Sequence, residues 1–213
     1  MAANLFSWPL PVSFSDEQAM WRVRTEDDPQ AFAQLVGRWQ RPIQNLCARM
    51  TGDPHRGEDL AQETFARLFS RRRSYEPRGR FSTFLWRMAL NLCYDELRKR
   101  KRRDEHSIED HWNDDGFELE TDEPGPDHSL VRQEQAEAVR QALLELADPY
   151  RAVVVLRHYE GLKFREIAEV LGIPEGTVKS RMAEGLSQLG RRLHPLVSDL
   201  PAPRPHTHER LLI

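Results

Sequence analysis

The sequence predicts an all-α protein of two small helical domains joined by a flexible acidic linker. Three observations carry this. Apolar residues recur at helical spacing along most of the chain, and no stretch alternates as a strand does. Residues 104–127 hold 11 Asp/Glu and no Lys or Arg. The stretch Gly161–Leu193, GLKFREIAEVLGIPEGTVKSRMAEGLSQLGRRL, has the two-helix pattern of a helix-turn-helix.

Residues 1–15 are rich in Pro, Ser and aromatics and read as a disordered extension. Asp16–Thr25 is expected to be a first helix. Asp28, or the Asp28-Pro29 pair, caps a second, on which Phe32, Leu35, Val36 and Trp39 keep helical spacing, as do Ile43, Leu46, Cys47 and Met50. Gly52-Asp53-Pro54 breaks it. A third helix over about His55–Ser70 carries Leu60, Thr64, Phe65, Leu68 and Phe69. Arg71–Arg80, RRRSYEPRGR, is a basic loop, and a fourth helix follows from Ser82 to Arg103.

The composition of 104–128 buries too little apolar surface to offset chain entropy, so a tether is expected there. Helical pattern resumes near Ser129, with Val131, Ala138, Val139, Leu143, Leu144 and Leu146, and again over Tyr150–Tyr159. In the helix-turn-helix, Phe164, Ile167, Ala168 and Leu171 share one face, Gly172 ends the first helix and Pro174 lets the second begin. Val178, Met182, Leu186 and Leu189 are expected on the buried side of that second helix. Its first turns present Glu175, Gly176, Thr177, Lys179, Ser180 and Arg181, the end that enters a DNA major groove in such motifs. The Pro-rich residues 195–213 read as a disordered tail.

Charge sharpens the division. The net charge is −3, yet residues 1–103 hold 19 Lys/Arg against 12 Asp/Glu, and residues 128–213 are nearly balanced. The folded parts therefore suit nucleic acid although the whole chain is slightly acidic. No apolar run reaches membrane-spanning length and no basic, apolar leader opens the chain, so a cytoplasmic location without membrane insertion is expected. Cys47 and Cys93 lack metal or redox spacing and read as reduced core residues. The histidines have no metal-ligand spacing. No phosphate loop or triad supports an enzyme, and no cofactor or metal is expected.

Two further segments carry chemistry. The fourth helix, FSTFLWRMALNLCYDELRKRKRR, sets Phe81, Phe84 and Trp86 ahead of six consecutive basic residues, Arg98–Arg103. Rings stack on bases while cations track phosphates, which suits single strands. A packed aromatic core with a solvated basic end explains the same residues. In EDLAQETFARLF, Asp59, Gln62 and Glu63 form a polar stripe opposite Leu60, Phe65 and Leu68. The stripe is either a solvated face or a protein-binding one.

Together these segments resemble the bacterial RNA polymerase sigma factors of the extracytoplasmic-function (ECF, group 4) class. DLAQETF resembles the core-polymerase-binding helix. Ala89, Asn91, Asp95 and Arg98 match the Ala-x-Asn-x-x-x-Asp-x-x-Arg pattern of the melting and −10 recognition helix, and GTVKSR at Gly176–Arg181 resembles the −35 recognition helix. The order of the blocks, with the acidic linker between them, is more specific than any one block.

The resemblance implies sigma region 2 over 16–103 and sigma region 4 over 129–194. It implies binding of core RNA polymerase, at the largest-subunit clamp helices and the flap, through Asp59, Leu60, Gln62 and Glu63. It implies −10 DNA contacts from Phe81, Phe84, Trp86, Asn91, Asp95, Arg98, Lys99, Arg100 and Arg102. It implies −35 contacts from Arg165, Glu175, Gly176, Thr177, Lys179, Ser180 and Arg181. Promoter DNA is then the ligand, and an anti-sigma factor the regulatory partner. The linker reads either as a nucleic-acid mimic in a basic channel or as a plain spacer. Pro174 stands where Ser often caps the recognition helix, so the cap must come from elsewhere. The rival reading is a helix-turn-helix transcriptional regulator that needs no polymerase.

Overall fold

A computed structural model describes residues 13–76, 79–106 and 129–198. The expectations for 107–128, for 199–213 and for 1–12 fall outside the described residues. All regular elements among the described residues are helical: α1 Asp16–Glu26, α2 Pro29–Thr51, α3 Pro54–Ser70, a 3₁₀ turn at Arg72–Ser74, α4 Phe81–His106, α5 Ser129–Leu144, α6 Asp148–Val154 continued by a π-helical turn at Val155–Tyr159, α7 Phe164–Leu171 and α8 Glu175–Ser198.

Local chemistry sets the boundaries of the first domain. Ser15 and Gln18 close a capping box at the start of α1. Asp28 accepts the amides of Gln30 and Ala31 at the start of α2. Gly52, at φ +77, ends α2, and Asp53 caps α3. The end of the expected N-terminal extension is held in place, because the Phe14 amide donates to Gln34. Helix α4 runs past Arg103 to His106, since Asp104, Glu105 and His106 contain no helix breaker.

Helices α1 to α4 bury a shared core that includes Met20, Leu35, Ile43, Leu46, Leu68, Phe81 and Leu85. Cys47 and Cys93 are both buried there as free thiols, and the hydrogen bond between them together with burial pushes the Cys93 thiol well up. Helices α2 and α3 approach closely at Gly57. A Cβ at Gly57 would lie 2.7 Å from the Ala48 backbone nitrogen.

The second domain packs α8 against α5, α6 and α7. Leu143, Leu146, the run Ala152–Leu156, Ile167, Val170 and Val178 are buried. Two expectations fail here. Leu186 is 51% exposed. The packed face of α8 instead runs through Val178, Met182, Gly185 and Leu189, because α6 comes so close at Gly185 that a Cβ would sit 3.0 Å from Val154. Leu186 is rotated about 70° from the middle of that ladder. Val139 is also exposed, beside an apolar groove between α5 and the α2–α3 corner. The helix expected over Tyr150–Tyr159 starts two residues earlier and widens to a π-turn at its end.

Arg151 shows how a charge enters this core. It is buried, and its guanidinium donates to the carbonyls of Leu143, Leu144, Leu146 and Met50. Four acceptors satisfy a group that would otherwise be costly to bury.

Candidate promoter and polymerase interface

Three surfaces carry the residues singled out in the sequence. The first is α3. Asp59, Gln62 and Glu63 are exposed along one stripe, whereas Leu60 is buried beneath them. Asp59 pairs with Arg56 at 3.1 Å and Glu63 with Arg67 at 2.6 Å. Leu60 therefore holds the helix in place and cannot reach a partner directly.

The second surface is α4 with the loop before it. Phe81 is fully buried and Trp86 is 4% exposed, packed edge-on to Trp39 with ring centroids 6.4 and 5.5 Å away. Neither ring offers a face to a base in this conformation. The aromatic start of α4 is core, as its helical spacing against α2 requires. Phe84 stays half-buried, tilted against buried Tyr75 at 5.1 Å. Beyond it the exposed face of the helix is polar. Asn91 is exposed, Asp95 pairs with Arg98, and Arg98, Lys99, Arg100 and Arg102 all face solvent.

The start of the loop before α4, at Arg72 and Arg73, is held by a residue that sequence reasoning misses. Asp27 ends α1 with φ +53, a left-handed conformation uncommon outside glycine. Its carboxylate pairs with Arg72 and, at 3.0 Å, with Arg73. The hydrogen bond from Arg72 leads in holding the Asp27 carboxyl below its usual range, with that from Arg73 next. Arg72 also stacks over Phe69, 4.1 Å from the ring centre. The Asp27-Asp28-Pro29 string between two helices is the available signal, and on local pattern it reads only as a cap.

The third surface is the leading end of α8. Glu175, Gly176, Lys179 and Ser180 are exposed, while Thr177 and Arg181 are half-buried. Lys179 pairs with Glu175 at 2.7 Å, and Ser180 donates to the Thr177 carbonyl. Arg165 on α7 is exposed on the same motif and pairs with Glu169 at 3.3 Å. Gly172, at φ +66, makes the turn between the helices. At the start of α8 the Pro174 carbonyl accepts the amides of Thr177 and Val178. Proline has no side-chain oxygen, and the amides of Glu175 and Gly176 precede the first carbonyl of the ladder. That end of the helix suits a phosphate.

Among the described residues no helix is long and apolar enough to cross a membrane, and no cluster of three or more His, Cys, Asp or Glu is placed to hold a metal ion.

Comparisons with known proteins identify the family. The Sigma-70 region 2 family model matches residues 35–103, and the Sigma-70 region 4 model matches residues 136–189. The chain is 36% identical over 173 residues to the ECF RNA polymerase sigma factor SigW of Bacillus subtilis, covering 79% of this chain and 92% of that protein. It is 31% identical over 187 residues to the RNA polymerase sigma-H factor of Pseudomonas aeruginosa, covering 86% and 96%. Its fold is similar to that of CnrH in the structure of CnrH in complex with the cytosolic domain of CnrY, with a TM-score of 0.60 at 23% identity over 87% of this chain and 96% of that one. The chain belongs to the ECF RNA polymerase sigma factors, with a Sigma-70 region 2 and a Sigma-70 region 4 in one polypeptide.

Proposed function

We propose that this sigma factor reads a promoter with two separate surfaces and docks on core polymerase with a third. The observation that supports this best is the segregation of exposed chemistry. Carboxylates line α3, guanidinium and ammonium groups crowd the end of α4, and a mixed polar edge leads α8. Asp59, Gln62 and Glu63 meet the clamp helices of the largest polymerase subunit. The loop held by Asp27 and the exposed face of α4 around Asn91 take the −10 element, and a base flipped from the non-template strand is held there. Arg98 to Arg103 bind phosphates, which gives affinity without sequence choice.

In the second domain, Lys179 and Arg181 project from the recognition helix toward the −35 major groove, where either side chain donates to guanine O6 and N7. The amides of Glu175 and Gly176 take a backbone phosphate, and Arg165 adds another phosphate contact. The protein acts by binding and directs the chemistry of the polymerase, in the cytoplasm where transcription occurs. An anti-sigma factor is the proposed regulator, as in the solved complex of the RpoE sigma factor with NepR from Bartonella quintana.

The test is transcription in vitro with core polymerase, followed by run-off mapping of start sites. New start sites that require both the chain and core polymerase are expected, preceded by shared −10 and −35 elements. Specific promoter binding by the chain alone, unchanged by core polymerase, would instead identify a polymerase-independent regulator.

A further inference from the structure

A separated DNA strand is held by stacking its bases on exposed rings while cations track its phosphates. The aromatic start of α4 supplies no such ring. Phe81, Trp86 and Tyr75 are buried, and Trp39 packs edge-on against the first two. One ring close to the loop before α4 is different. Trp21 of α1 is 54% exposed. Phe69, the other exposed Phe, Trp or Tyr ring among the described residues, already packs on Phe32 at 5.0 Å and beneath Arg72.

Two anchors place Trp21 beside that loop. Glu17, one turn before it on the same face of α1, accepts the amide of Phe81 at 3.3 Å, where the loop ends. Asp27, at the far end of α1, holds Arg72 and Arg73, where the loop begins. The loop therefore runs back along α1 from its last residue to its first turn, and Trp21 lies between the anchors. Burial and, after it, the Glu17 charge push up the hydroxyl of Tyr75 in the middle of that path.

A single exposed ring is ordinary on a protein surface. The surroundings of this one are not. The loop Arg71–Arg80 carries five arginines against one glutamate. Arg71 and Arg73 are exposed, and Arg24 lies one turn beyond Trp21 on the same helix face. The nearby carboxylates are largely committed. Asp27 has its two arginine partners, Arg22 pairs with Glu26 and Asp28, and Glu17 faces the Phe81 amide. A ring among cations fits a partner that is anionic and presents a flat apolar face. Each nucleotide of an unpaired strand supplies both.

We propose that Trp21 is the stacking platform for one unpaired base of the non-template strand, a neighbour of the flipped base, with Arg24, Arg71 and Arg73 along the adjoining phosphates. This rests on the −10 assignment proposed above. A ring face stacks on any base, so Trp21 favours the separated strand without choosing its sequence. In the duplex the same base stacks on its own neighbours, so the ring acts only after separation. A base held on Trp21 is withdrawn from re-pairing, which slows collapse of the opened promoter.

The experiment uses the full chain joined to core polymerase on a promoter located by run-off mapping. The −10 region of the fragment is pre-opened by mismatches, and abasic nucleotides are placed singly along its non-template strand. Lifetimes against competitor DNA are measured for wild type, Trp21→Ala and Trp21→Phe. Trp21→Ala is expected to shorten the lifetime by about 5- to 100-fold, and Trp21→Phe to recover most of it. At one position an abasic nucleotide should shorten the wild-type lifetime and add nothing in Trp21→Ala, as two halves of one contact do. Affinity for core polymerase and the melting temperature should stay unchanged.

Additive losses at every abasic position would overturn the stack, because the ring and a base would then act separately. Weaker binding of Trp21→Ala to core polymerase would overturn it by assigning the ring to a protein contact. Start sites that map normally, with equal lifetimes for wild type and Trp21→Ala, would remove the stack alone. A chain that yields no polymerase-dependent start sites would remove the −10 reading and the stack with it.

Discussion

Arg56 and Glu96 join α3 to α4 through a 2.6 Å ion pair, with the Glu96 side chain 15% exposed. The pair fixes the helix that carries the Asp59, Gln62 and Glu63 stripe against the helix that carries the basic end. The hydrogen bond from Arg56 is the main cause holding the Glu96 carboxyl below its usual value. A carboxyl lowered in this way adds stability that is fully present above the ordinary glutamate range and is lost as pH falls through the folded-state value. Glu96→Gln should therefore cost about 1–2 kcal/mol at pH 7, and the difference from wild type should shrink in urea titrations repeated below pH 4. An unchanged difference there would show that the pair is not the cause.

Glu160 behaves in the opposite sense. Burial pushes its carboxyl up from 4.5 to about 7, with the Arg49 charge opposing the shift. Below the ordinary value the group is protonated whether buried or not, so nothing is lost. As pH rises from 4.5 toward 7 the burial cost grows, and above 7 it is complete. At about 1.4 kcal/mol per pH unit the full cost is about 3 kcal/mol. Glu160→Gln should remove this dependence, leaving a flatter stability profile between pH 5 and 8 in denaturant titrations.

Gly57 and Gly190 make a matched pair of substitutions. A Cβ at Gly57 would meet the Ala48 backbone at 2.7 Å, and one at Gly190 would meet nothing within 4 Å. Gly57→Ala must push α2 and α3 apart and should cost about 3 kcal/mol. Gly190→Ala lies in open space on α8 and should add up to about 1 kcal/mol through helix propensity. Thermal melts of the two variants are expected to move in opposite directions.

On α3, exposure separates binding from support. Asp59→Lys and Glu63→Lys should weaken core-polymerase binding at least tenfold with little change in melting temperature. Leu60→Ala should instead lower stability by about 2–4 kcal/mol. Its loss of polymerase binding should track the fraction unfolded, as measured by titration against labelled core enzyme.

On α8, Arg181→Ala should relax preference at one −35 base pair by about 1–3 kcal/mol. The basic end of α4 should respond differently. There, Arg100→Ala with Arg102→Ala should weaken all promoters alike and flatten the salt dependence by about one unit per lost phosphate contact. Run-off yields on a panel of −35 variants, at two salt concentrations, separate these outcomes.

The helix order, the caps at Asp28 and Gly172 and the polar edges of α3 and α8 are legible in the sequence because each rests on local spacing. The role of Phe81 and Trp86 is not, since an aromatic at helical spacing looks the same whether it faces a base or Trp39. Leu186 misleads for a related reason. The helix phase is set by Gly185 meeting Val154, and a glycine gives no apolar signal. Arg87 and Arg140 are invisible because their acceptors are carbonyls 82 to 88 residues away. Asp27 comes under suspicion only by asking which residue must turn the chain between α1 and α2.

The start of α8 also bears on how a reader of this kind changes its target. Its outermost amides belong to the backbone, behind a proline that cannot cap them, so an alanine scan would leave this anchor untouched. Lys179 and Arg181 are free to be exchanged over it. On the proposed reading, preference for a new promoter is reached by side-chain drift on a backbone grip that only a proline at one of those positions would remove.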